Sequence, residues 1–198
     1  QTSLTFNSAV PMLFASKKLI VSNSPLVQFS KSLDYLVNYP YGCAEQIISA
    51  AFPQLYYPDL AKNLSNKNSL NKNAVNNVQT TIDKLQSMQL SNGALSYWQG
   101  GGAESWWSTI YAAHFLQEAQ KAGYSVNEKI ANKMYDYLRA RLRNKELEVI
   151  FYSDGTKKEV VKEEVPYSMY VLAMADKVKT SELNYFKANP QILTQSGK

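Results

Sequence analysis

Cys43 is the only cysteine in 198 residues, and it stands in the string Tyr39-Pro40-Tyr41-Gly42-Cys43-Ala44-Glu45-Gln46. A Pro-and-Gly turn precedes it, and an apolar run with helical character, Ile47 to Phe52, follows. A helix starting here puts positions i and i+3 on one face, so the Cys43 sulfur and the Gln46 carboxamide can meet. The chemistry this permits is attack of the thiolate on the amide carbon with loss of ammonia, leaving an internal thioester. Pro40 and Gly42 fix and bend the backbone so that Cys43 is presented at the helix start, where the helix dipole favours a thiolate. A lone cysteine is ordinarily a small buried hydrophobe, and Cys-x-x-Gln recurs by chance. The longer string is what carries the assignment.

A thioester hydrolyses in water and must be kept dry until it is used. The neighbouring aromatics Tyr39, Tyr41, Phe52, Tyr56 and Tyr57 are candidates for that cover, Tyr39 first because it lies just ahead of the turn. Ordinary packing is the competing explanation for each of them. Glu45 faces away from Cys43 and Gln46 on a helix and is expected to bond a backbone amide or a neighbouring helical hairpin.

The elements that must hold this stretch are read in chain order. Residues 1–30 alternate apolar and polar; Leu4-Thr5-Phe6 and Leu19-Ile20-Val21 read as short strands, a β lead-in or a fragment of an adjacent β domain. Residues 31–198 read as one mainly α domain. Phe29 to Val37 has helical spacing, and a further helix is expected from about Cys43 to Tyr56, with Pro58 ending the segment. The Asn-rich stretch 62–77 reads as a solvated connection passing into a helix lined by Val75, Val78, Ile82 and Leu85. Ser91-Asn92-Gly93 is turn chemistry, and Gly93 to Gly102 reads as loop with Trp98 tucked beneath the next helix. The glycines at 100–102 lack the strand before and the Lys-Ser/Thr after that a phosphate loop needs. Trp106 to Lys121 is apolar on nearly all sides and is expected to be a buried helix. Ser125-Val126-Asn127-Glu128 fits a capping box before an amphipathic helix over Ile130, Met134, Leu138 and Leu142. Leu147 to Val161 changes period to a β-hairpin around Asp154-Gly155. Val165 to Lys177 and Ser181 to Ala188 return to helix. Tyr111-Ala112-Ala113 and Tyr170-Val171-Leu172 open similar apolar helices, a weak internal repeat of helical hairpins that suggests a stacked or ring-closed α/α array.

Composition sets limits on the rest. Hydrophobic content of 45% with 19% charged residues describes a globular chain. The net charge of +5 comes from basic residues scattered singly and in pairs, with no stripe interleaved with aromatics, so a nucleic-acid partner is not expected. One Cys and one His exclude a disulfide framework and a closed zinc shell, and no metal or cofactor is expected. No long apolar run suggests a membrane span. A chain opening at Gln1 without Met is expected to be an excised piece.

Pro-Tyr-Gly-Cys-Ala-Glu-Gln resembles the Gly-Cys-x-Glu-Gln thioester motif of the alpha-2-macroglobulin and complement family, and Leu33 to Gln46 is similar to its bacterial branch. The resemblance extends over roughly residues 19–190. It implies a thioester domain folded as an α/α toroid of helical hairpins, with Gln89 to Gly93 and Tyr97-Trp98 as one of its hairpin turns. The usual toroid is longer, so this chain is expected to be its first part. The family implies a broad-spectrum protease trap: a bait segment elsewhere in the parent is cut, the protein closes, and the Cys43–Gln46 thioester acylates a lysine amine of the protease. That is stoichiometric capture rather than enzymatic turnover. Implied partners are the parent's other domains and target proteases, and a periplasmic, cell-envelope or extracellular location follows from the resemblance alone. In the complement branch a toroid histidine assists transfer to hydroxyls. Its place would fall around Lys157 to Glu164, which holds no histidine. His114, the only histidine, reads as a packing residue, so direct attack by amines is the expected chemistry. Two alternatives stand beside this: a non-reactive α/α-toroid binding module with an open motif, and a Cys-dependent hydrolase using His114 as base.

Overall fold

The computed structural model describes residues 42–56, 67–195 and 197. The expected β lead-in at 1–30, the Phe29 to Val37 helix, Tyr39, Pro40, Tyr41 and Tyr57 lie outside the described residues. The remainder is mainly helical with two small β-hairpins, an α/α arrangement of the kind expected.

Helix α1 spans Ala44–Ala51 and passes at Phe52 into a 3₁₀ turn, Phe52–Tyr56. The helix expected to run unbroken to Tyr56 therefore changes type at Pro53, whose ring removes a backbone donor. Helix α2, Lys67–Ser87, starts well inside the Asn-rich stretch. Asn is a poor helix former but not a breaker, and the stripe of Val78, Ile82 and Leu85 buries against the core. Val75, expected on that stripe, is exposed.

Between α2 and the next helix the chain makes a miniature antiparallel pair, β1 (Leu95–Ser96) with β2 (Glu104–Ser105), where the sequence suggested only loop. Leu95 is fully buried and its amide donates to Thr109 Oγ1 at 2.8 Å. Trp98 is not tucked under a helix: it is 54% exposed and stands edge-on to Tyr97.

Helix α3, Trp106–Lys121, is the central element and packs against α1, α4 and α5. Its small residues Ala112, Ala113 and Ala119 let neighbours approach, and Ile110, Phe115 and Leu116 fill the space between them. Ser105 caps it by accepting the Ser108 amide. Helix α4, Glu128–Asn144, is capped by Asn127 accepting from Lys129, not by the Ser125 box expected. An Asx side chain one residue before the helix reaches that amide directly. The α4 stripe of Met134, Leu138 and Leu142 is buried as its spacing requires.

The hairpin of β3 (Leu147–Phe151) and β4 (Lys157–Val161) runs in the register Leu147↔Val161 to Phe151↔Lys157. Asp154 Oδ1 ties its turn by accepting from the Thr156 amide at 2.9 Å and hydroxyl at 2.7 Å. Helices α5 (Glu164–Met174) and α6 (Thr180–Ala188) follow. Trp106 Nε1 donates to Ser168 Oγ at 3.0 Å, and Gln117 Nε2 donates to the Val171 carbonyl at 2.9 Å, pinning α3 to α5 with buried polar contacts.

Arg141 of α4 welds the start of α3 in place. Its guanidinium reaches Glu104 at 3.1 Å and Glu146 at 2.6 Å and lies 4.4 Å from the Trp106 ring centroid. The Tyr137 hydroxyl donates to the same Glu104 at 3.1 Å. Planar stacking and a forked donor set are properties a lysine lacks.

Candidate thioester site

Cys43 is the N-cap of α1, with extended backbone angles, and is 1% exposed. A capping residue holds non-helical angles while its side chain accepts an orphan helix amide. Here the Gln46 side chain folds back on the cap: its Oε1 accepts the Cys43 amide at 3.4 Å, while the sulfur takes the side-chain position of the box without making a cap hydrogen bond. This is a capping box in which Cys replaces the usual Ser or Thr and Gln keeps the reciprocal position. The structure brings the Gln46 side chain to the Cys43 backbone amide, at the i and i+3 spacing read from the sequence.

The box also shows why the spacing suits chemistry. Closing it brings the Gln46 carboxamide back over the helix end, toward the sulfur and the Cys43 N–H. An acyl transfer at the Gln46 carbon would put charge on the oxygen that this N–H already meets, and a preplaced donor at such a position lowers a barrier.

The next orphan amide, that of Ala44, donates to the Tyr97 carbonyl at 2.9 Å. The segment after β1 is thereby fastened onto the start of α1. The Tyr97 hydroxyl comes round to the same helix, donating to Glu45 Oε2 at 3.4 Å. Glu45, expected to bond a backbone amide or a neighbouring hairpin, takes this hydroxyl from the turn between α2 and α3. Tyr97 was not among the candidate cover residues. It lies far along the chain from Cys43, and only its place after an Asn-Gly turn marked it in the sequence. Gly42 is exposed, and among the described residues nothing lies within 4 Å of where its β-carbon would stand.

Farther along α1 the surface becomes aromatic. Ser49 Oγ donates to the Tyr111 hydroxyl at 3.4 Å, and Phe52 stacks on Tyr111 with centroids 5.7 Å apart. His114 stands edge-on to Phe52, Tyr167 and Tyr170, and its Nδ1 shares a 2.9 Å hydrogen bond with the Tyr167 hydroxyl. It is a partnered packing histidine, as its mid-helix position suggested. Tyr56, at the end of the 3₁₀ turn, donates to Glu118 Oε2 at 3.3 Å.

Burial holds the His114 pKa below its ordinary 6.5; Glu118 opposes the shift and Lys121 adds to it. The unfolded chain therefore takes up this proton before the folded one does. Stability is expected to fall as pH drops from about 6.5 toward the depressed value. Denaturant midpoints of the chain and of His114→Gln across that window check this: the variant should lose that part of the slope.

Among the described residues no group of three His, Cys, Asp or Glu side chains could hold a metal ion, and no helix is long and apolar enough to cross a membrane.

A model of the A-macroglobulin TED domain matches residues 16–185. The chain is 32% identical over 141 residues to alpha-2-macroglobulin of Escherichia coli K12, covering 71% of this chain and 8% of that protein. Among solved structures it superposes on Salmonella alpha-2-macroglobulin reacted with methylamine with TM-score 0.66 and 29% identity, over 82% of this chain and 11% of that one. It also superposes on trypsin-activated alpha-2-macroglobulin from Escherichia coli with TM-score 0.63 and 27% identity, over 78% of this chain and 11% of that one. The chain spans about a tenth of the length of such relatives, 8% and 11% in these cases.

Proposed function

This chain belongs to the A-macroglobulin TED-domain family, and on that premise we propose that it carries a reactive Cys43–Gln46 thioester with which its parent protein captures proteases covalently. The observation that supports this most directly is the Gln46 side chain folded back onto the Cys43 amide, beside a buried sulfur.

Ring closure is attack of the Cys43 sulfur on the Gln46 side-chain carbon; the C–N bond breaks with its electron pair passing to nitrogen, which takes up the proton given up by the thiol and leaves as ammonia. Opening reverses the polarity of use. A lysine amine adds to the same carbon, the C–S bond breaks with its electron pair passing to sulfur, and the amine's surplus proton ends on the thiolate. The product is an amide between Gln46 and the protease. The Cys43 amide, set against Gln46 Oε1, steadies the oxygen in both directions. Each molecule reacts once, so the protein is an inhibitor rather than an enzyme. Gly42 and Pro40 shape the approach to Cys43, and Tyr39 and Tyr41 supply further cover.

The same proposal sets residues 31–198 apart as the thioester-bearing unit and residues 1–30 as part of an adjacent β domain. It places the parent in the periplasm, cell envelope or outside the cell, where foreign proteases are met. The partners are those proteases and the parent's other domains. Trypsin and methylamine figure in the solved structures of the relatives, which is in keeping with amine chemistry here.

Intact mass is the direct test. A closed ring lacks one ammonia and resists iodoacetamide until methylamine opens it, and opening by methylamine should outpace opening by glycerol because no histidine relays the acyl group. A full-length protein with an intact carboxamide and an immediately labelled Cys43 would leave only a non-reactive binding module.

A further inference from the structure

We propose that the segment Leu95 to Trp98 preorganises the thioester ring through one backbone hydrogen bond, from the Ala44 amide to the Tyr97 carbonyl, and so sets how fast the ring closes. The inference rests on the thioester proposal and adds to it a positioning element from a distant part of the chain.

Joining the Cys43 sulfur to the Gln46 side-chain carbon makes a ring whose backbone runs through Ala44 and Glu45. Such a ring closes faster the fewer conformations its backbone has to give up. The peptide plane between Cys43 and Ala44 is fixed at both edges. Its carbonyl accepts the Ile47 amide at 3.1 Å, and its N–H donates to the Tyr97 carbonyl at 2.9 Å. The first of these bonds belongs to any helix start. The second does not, because Ala44 is the first residue of α1 and its amide has no partner within the helix. The Cys43 amide is engaged as well, by Gln46 Oε1 at 3.4 Å. Between these two held amides Cys43 keeps its extended angles, φ −71° and ψ 157°.

The carbonyl that does the holding is itself anchored. The Ser96 amide and hydroxyl donate to the Met88 carbonyl at 3.0 and 3.2 Å, and the same hydroxyl donates to the Trp98 carbonyl at 2.7 Å. The Leu95 amide donates to Thr109 Oγ1 at 2.8 Å, and that hydroxyl donates in turn to the Ser105 carbonyl at 2.6 Å. The segment is thus bonded to the end of α2 and to the first turn of α3, and it presents Tyr97 to α1 from a fixed base.

Ala44→Pro removes the N–H with little other disturbance of the helix start. Proline suits the first helical position, and the residue before it must be extended, as Cys43 already is. Closure itself is the reaction to follow. Ammonia opens the ring by the reverse of closure: it adds to the Gln46 carbon, the C–S bond breaks with its electron pair passing to sulfur, and the surplus proton on nitrogen goes to the thiolate. The carboxamide is restored. Once ammonia is removed from the full-length protein, intact mass follows its loss as the ring reforms. Dividing that rate by the iodoacetamide rate of the opened thiol isolates the intramolecular step, since a change in thiol reactivity or exposure alone does not lower the ratio in step with the lost tether.

Ala44→Pro should lower this ratio about tenfold, the scale for losing one hydrogen bond that orients a reacting pair. Ala44→Gly keeps the N–H while freeing the backbone, and it should close faster than Ala44→Pro. The opposite order would make local backbone stiffness the cause and overturns the proposal. Thr109→Val reads the tether from its far end: it takes the acceptor from the Leu95 amide and should lower the ratio several-fold. A wild-type ratio in either Ala44→Pro or Thr109→Val overturns the positioning role. A wild type that never loses ammonia sinks the thioester proposal and this one with it, whereas a wild type that recloses while the variants match it sinks this one alone.

Discussion

Replacing Cys43 by serine is expected to abolish covalent amine uptake while leaving the fold in place. Serine is a better N-cap than cysteine, and at this N-cap position its oxygen is placed to accept a first-turn amide. The cap, worth about 1 kcal/mol, is therefore kept. What disappears is the sulfur: a hydroxyl at neutral pH does not displace ammonia from a carboxamide unaided. Gln46→Glu makes the complementary case. It retains an oxygen to accept the Cys43 amide but has no ammonia to lose, so its thiol should label with iodoacetamide at once. Mass spectrometry after incubation of the full-length proteins with methylamine reads both. Wild type should gain one amine, Cys43→Ser and Gln46→Glu none, with unchanged far-ultraviolet circular dichroism. Amine uptake by Cys43→Ser would remove the sulfur from the chemistry altogether.

The second large effect is remote from the sulfur. Gly93→Ala is expected to destabilise the chain by about 3 kcal/mol, from overpacking and a left-handed residue together. Gly93 has φ of +91°, and a β-carbon there would sit 2.2 Å from the Lys133 carbonyl oxygen of α4. Nothing nearby can yield cheaply, because the atom it meets is helix backbone. The turn is already fully engaged. The Gly93 amide donates to the Leu90 carbonyl at 3.0 Å, Asn92 Oδ1 accepts the Ala94 amide at 3.1 Å, and Gln89 Nε2 reaches the Ile130 carbonyl at 2.9 Å. A drop in melting temperature of about 10 °C is the expected scale for a chain of this size. Since this turn carries β1 and Tyr97 to the start of α1, the variant should also open its thioester at an altered rate. A melting curve matching wild type would show that the turn can lift off α4 without cost.

Helix periodicity reads well here because burial on one face imposes it. The all-round apolar α3, the stripe of α4, the hairpin around Asp154-Gly155 and the contact of Cys43 with Gln46 are local patterns, and local sterics and spacing suffice for them. The same local reasoning misplaced Trp98 and chose Ser125 over Asn127 as the α4 cap, since both depend on which neighbour arrives. Glu45 had no partner within its own helix to suggest a role, and Tyr97 had no reason in its own segment to be near a thiol. Those two become one site only when the turn at Gly93 seats on α4 and the Tyr97 carbonyl takes the Ala44 amide. The pair Cys43 and Gln46, three residues apart, is written in the order of side chains along one helix turn. The Tyr97 segment fastened beside it is brought by packing between elements far apart in the chain, and that is a property of the folded volume.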